Sequence, residues 1–149
     1  MQLKAAGTIN LPDAAGTLFD HGAFEPRSRR VFVAHTARDR VEVIDHDASR
    51  HLATLRGFPE AAGVVADDGQ VLVTNRGAAR LVWVDAYSLE KRAEFKTGLR
   101  PNGVAFVSRL KLAVVALSVT KPTMRCFKLW ISKDTGDGKS IFLGVLDGA

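Results

Sequence analysis

The side chains in this chain that can do chemistry are Asp20, His21, Glu60, Arg100 and Asn102, with His35, Asn75, Arg76 and Arg80 as a second group. Glu60 or His21 can serve as acid, base or metal ligand, and Arg100 can hold an anion. No nucleophile elbow, paired-histidine zinc motif or glycine-rich dinucleotide loop accompanies them. Any chemistry must therefore come from where the fold gathers these residues. The one stretch that imitates a phosphate loop, Lys133 to Ser140, has lysine where the first glycine is required. It also fails as a calcium loop, because Asp134 and Asp137 fall at the wrong spacing. A hairpin turn between strands at 125–131 and 140–146 is its expected role.

The elements that must position these side chains emerge from an internal repeat. Displaced by 40 residues, Val41-Glu-Val-Ile-Asp45 falls on Leu81-Val-Trp-Val-Asp85, and His51 to Leu55 falls on Lys91 to Phe95. The start of the period occurs three times, at Gly22, Gly63 and Gly103. Within it, Val- and Leu-rich runs of four to six residues alternate with turn residues such as Asp67-Asp-Gly69 and are too short for helices. The second period reads as strands at 63–66, 71–75, 81–85 and 91–96, and the third opens with one at 103–107. The third strand is apolar on both faces and the fourth is mixed, as in a small sheet stacked between two others with its last strand at the rim. Four antiparallel strands in about 40 residues are the arithmetic of a β-propeller blade.

In such an up-and-down blade, the loop into the inner strand and the loop joining the second and third strands open on one face. The repeat therefore gathers Asp20, His21, Glu60, Arg100 and Asn102 near the axis, with His35, Asn75, Arg76 and Arg80 further out. Residues 46–50 and 86–90 go to the opposite face. Asn75 and Asn102 also suit turn geometry, Asp45 and Asp85 read as turn-starting residues, and Trp83 and Trp130 read as packing between blades.

Composition bounds the alternatives. The 149 residues are 46% hydrophobic and 25% charged, which fits one globular domain with a real core and excludes disorder. The longest apolar runs, such as Leu112 to Leu117, are far short of the roughly 20 residues that a helical membrane span needs. The lone Cys126 excludes an internal disulfide and a cysteine-based zinc site. The net charge of +5 comes from scattered basic residues without interleaved aromatics, so nucleic acid is not an expected partner. Residues 1–7 do not form a secretory signal, and a periplasmic or secreted location would require sequence upstream of Met1.

Val71-Leu-Val-Thr-Asn75, Arg76 to Asp85, and Thr97-Gly-Leu-Arg-Pro-Asn-Gly-Val-Ala105 together resemble the YVTN-type β-propeller repeat. Val31 to His35 and Val41 to Asp45 resemble the same unit, and Phe19-Asp-His21 resembles a segment found before the inner strand in many such propellers. The resemblance covers roughly residues 16 to 117, and beyond Ser118 the closing Val-Ile-Asp signature is missing. It implies an all-β, incomplete propeller of about three four-stranded blades, with repeats near 16–56, 57–96 and 97–146. Residues 1–11 would carry the outer strand of a preceding blade, at 3–9.

The absence of a catalytic motif favours a non-enzymatic binding or scaffold module, with a small molecule or a protein as ligand. The alternative that the resemblance implies is a sugar-lactone hydrolase at the channel mouth, and only that alternative brings in a divalent metal. No lactonase motif surrounds Glu60 or Arg100. Four blades need about 160 residues, more than the 149 present, so the ring is expected to stay open. A second copy or a missing propeller segment is then the expected partner of the uncovered sheets.

Overall fold

The computed structural model describes residues 2–118, 126–130 and 143–146. Short β-branched runs bounded by turn residues give three four-stranded antiparallel meanders. The first comprises β1 (Gly22–Glu25), β2 (Arg30–His35), β3 (Arg40–Asp45) and β4 (Arg50–Arg56). The second comprises β5 (Ala61–Asp67), β6 (Gln70–Asn75), β7 (Arg80–Asp85) and β8 (Lys91–Lys96). The third comprises β9 (Pro101–Val107), β10 (Leu112–Leu117), β11 (Cys126–Trp130) and β12 (Leu143–Leu146). The strands expected on either side of the 133–140 turn are thus β11 and β12, which pair antiparallel, while the turn itself lies outside the described residues.

The repeat in sequence is a repeat in backbone. Glu42 and Val82 occupy matching positions opposite Val33 and Val73, and a register shift follows Val43 in one blade and Trp83 in the next. Left-handed backbone also recurs at 40-residue intervals, at Asp39 and Ala79, Ser49 and Leu89, and Glu60 and Arg100. Asp45 and Asp85 start turns as expected: Asp45 Oδ1 accepts from the Ala48 amide, and Asp85 Oδ1 accepts from those of Tyr87 and Ser88.

The sheets stack through two apolar layers. Phe32, Ala34, Val41 and Val43 of the first sheet meet Val64, Val71, Val73, Val82 and Val84 of the second. Leu72, Leu81 and Phe95 of the second meet Ala113, Val115 and Leu117 of the third, with half-buried Trp83 beside them as expected. The inner strands lie side by side, β5 packing on β1 and β2, and β9 on β5 and β6. Gly63 sets the closeness of the second contact: a Cβ there would stand 2.2 Å from the carbonyl oxygen of Asn102. Thr74 Oγ1 accepts from the Gly63 amide at 2.8 Å and donates to that same Asn102 carbonyl at 2.6 Å.

Residues 2–21 contain no strand, so the segment at 3–9 pairs with no strand among the described residues. The N-terminal segment instead lies across the outward face of the first sheet. Ala6 to Ile9 run beside Val31 and Ile44, the Pro12 carbonyl accepts from Arg40, and Phe19 stacks on His35 with ring centroids 4.1 Å apart.

Candidate functional site

The turns that lead into β5 and β9 place Glu60 and Arg100 on the upper face, each in left-handed backbone one residue before its strand. Arg100 Nη1 stands 3.9 Å from Glu60 Oε2, with both side chains about half exposed. On the same face, Asp20 bridges His21 Nδ1 at 2.6 Å and Arg76 Nη2 at 2.9 Å. The two clusters meet through the backbone, where the Arg76 amide donates to the Glu60 carbonyl. Two of these charged pairs span a blade boundary, Asp20 with Arg76 between the first and second and Glu60 with Arg100 between the second and third. His21 is the group left most open to solvent, its side chain 57% exposed.

Below this rim, three buried polar atoms have no hydrogen-bond partner among the described residues: Asn75 Oδ1, Arg76 Nε and Asn102 Oδ1. Asn102 contributes its carbonyl to the blade contact while its side-chain oxygen stays unpaired. Two of the expected outer positions do not join the rim. Arg80 turns to Glu94, 3.7 Å away on β8. His35 is fully buried beneath Phe19 rather than exposed at the mouth, because the N-terminal segment covers the face on which it lies.

His35 belongs instead to a buried polar cluster that the residues alone do not announce. Glu42 Oε1 accepts from Arg40 Nε at 2.6 Å and pairs with His35 Nδ1 at 3.0 Å, while Oε2 accepts from Thr54 Oγ1 at 2.6 Å and pairs with His51 Nε2 at 2.9 Å. Thr17 Oγ1 lies 2.7 Å from His35 Nε2, and Arg40 reaches Asp13 and the Pro12 carbonyl. Burial pushes the Glu42 carboxyl upward, but its hydrogen bonds with Thr54, His35 and His51 and the Arg40 charge outweigh burial and hold it below the usual range. The signal that could have revealed the cluster is the glutamate itself, standing where the next blade has Val82 in its core. Among the described residues, no three His, Cys, Asp or Glu side chains are arranged to hold a metal ion, and no helix is long and apolar enough to cross a membrane.

The lower face carries open space. A cavity of about 350 Å³ lies between Glu25, Arg27, Asp67, Asp68 and Arg109, and a second of about 170 Å³ lies between Gln70, Trp83, Phe106 and Lys111. Glu25 braces this side. Burial raises its carboxyl, but the amide donors of Ser28, Gly69 and Arg27 bring it below the usual range.

No family model matches the chain, and no curated protein matches it in sequence. Solved structures do match it in shape. Hydrazine synthase of Kuenenia stuttgartiensis superposes with a TM-score of 0.70 at 19% identity, over 91% of this chain and 37% of that one. Virginiamycin B lyase from Staphylococcus aureus gives 0.61 at 11% identity, over 95% of this chain and 45% of the lyase. Apo AztD from Citrobacter koseri gives 0.54 at 20% identity, over 64% of this chain and 26% of AztD. The chain thus spans less than half the length of each. A likeness at this level of identity carries no chemistry from one protein to another, so what it shows is the fold: three four-stranded blades of β-propeller type.

Proposed function

We propose that the chain is a non-enzymatic binding or scaffold module of the YVTN-type propeller class, with its recognition surface on the upper face. The observation that carries this reading is the set of unpaired buried atoms, Asn75 Oδ1, Arg76 Nε and Asn102 Oδ1, beneath a rim of paired charges. Buried polar groups are nearly always satisfied, and a small polar molecule or a protein loop supplying donors and an acceptor would complete them. The rim charges hold neighbouring blades together, which suits a rigid platform better than a reacting centre. Further blades, from a second copy or from additional propeller sequence, would stack on the outward face of the third sheet. Leu112, Val114 and Ala116 alternate there with the side chains that pack on the second sheet and are only half buried.

A lactone hydrolase is the competing reading, supported by Glu60, His21 and Arg100 sharing one face. One assay separates the two: hydrolysis of an aldonolactone by the full chain, with and without added calcium or manganese. The binding module gives no turnover above buffer under either condition. Turnover that is lost in Glu60→Gln would overturn it in favour of the hydrolase.

A further inference from the structure

We propose that the cleft between the second and third blades, open on the lower face, binds a small planar organic anion of the aromatic carboxylate class. The cleft goes beyond the proposed upper-face surface and shares no residue with it. Its walls include the rings of Trp83 and Phe106, which pack against the core layer between these blades. The volume is about 170 Å³, and an apolar cavity of about 150 Å³ is enough for a benzene-sized ring. Trp83 Nε1 is buried and has no hydrogen-bond partner among the described residues. An indole nitrogen can only donate, so an acceptor that the occupant placed against it would meet an unfulfilled donor.

The charges at the opening give that acceptor its sign. Asp68 is held by Arg27 at 2.5 Å, and Asp67 accepts from Ser108 Oγ at 2.5 Å, so both carboxylates already have partners. Arg109 is exposed and forms no ion pair with another described residue, and it lines both this cleft and the adjoining cavity of about 350 Å³. A guanidinium presents a fork that matches a carboxylate. A ring between Trp83 and Phe106 would direct its carboxylate to the indole N–H and to Arg109, and the adjoining cavity gives larger members of the class room to extend.

Calorimetric titration of the full chain with benzoate, and in parallel with benzyl alcohol, tests the site. Benzoate should bind saturably at millimolar concentration, with benzyl alcohol at least about tenfold weaker. Losing a hydrogen bond to a charged group corresponds to roughly tenfold in affinity. Trp83→Phe, which keeps a ring and removes the N–H, and Arg109→Ala should therefore each weaken benzoate at least about fivefold, while Arg56→Ala, at an exposed position on β4 of the first blade, leaves it unchanged. Arg109 is exposed, so its variant decides the matter even if Trp83→Phe does not fold. Absence of saturable benzoate binding, equal binding of benzyl alcohol, or full binding by Arg109→Ala would each overturn the proposal. None of these results bears on lactone turnover or on the upper face.

Discussion

Replacing Glu42 by glutamine tests the buried cluster of the first blade most directly. The carboxylate is fully buried and surrounded on both oxygens, by Arg40 and His35 on one and by Thr54 and His51 on the other. An amide turns one of those acceptors into a donor and leaves the Arg40 guanidinium, only 4% exposed, without its buried counter-charge. Breaking a buried pair in this way costs about 3–5 kcal/mol, a large share of the roughly 5–15 kcal/mol that stabilises a domain. Thr54→Val removes one hydrogen bond to the same charge and should cost about 1.5–3 kcal/mol. With a urea dependence near 2 kcal/mol per molar, the unfolding midpoint should fall by about 1.5–2.5 M in Glu42→Gln and by about half that in Thr54→Val. The pH dependence is a second readout. Because the folded Glu42 carboxyl titrates below its ordinary value of 4.5, its stabilisation is fully present above pH 4.5 and is lost as pH falls through the folded value. Glu42→Gln should lack that acid component. A midpoint within the equivalent of about 1 kcal/mol of the native chain, or an unchanged acid slope, would refute the account of the cluster.

Gly63→Ala should disrupt the contact between the second and third blades, because its Cβ would meet the Asn102 carbonyl at 2.2 Å, while Gly103→Ala should be tolerated, its nearest neighbour being the Ala116 Cβ at 3.7 Å. Urea unfolding of both variants checks this, with a loss of at least about 2 kcal/mol expected for Gly63→Ala alone; equal behaviour of the two would contradict the packing. Sedimentation velocity at micromolar concentration should show the chain in species larger than 16.1 kDa, as the proposed stacking of a second copy on the third sheet requires. A compact, cooperatively unfolding monomer would count against the proposed stacking of further blades.

The 40-residue period, the four strands of each repeat and the sorting of loops between two faces are all legible in the residues. Alternating apolar runs and turn residues act over a few neighbours, and each blade repeats them. Hence β5 to β8 fall at the expected places, and Glu60 and Arg100 arrive on one face with the same backbone geometry. The pairing of Asp20 with Arg76, the burial of His35, the cluster around Glu42 and the open cleft beside Trp83 were decided by the tertiary structure. Each depends on segments distant in the chain. Glu42 becomes an interior group because residues 12–19 lie over its sheet, and Gly63 becomes irreplaceable because the Asn102 backbone approaches it from the next blade. Local pattern specifies which strands form and which way their side chains alternate; what then covers a face, and at what distance, is set by packing between elements that the pattern of neither encodes.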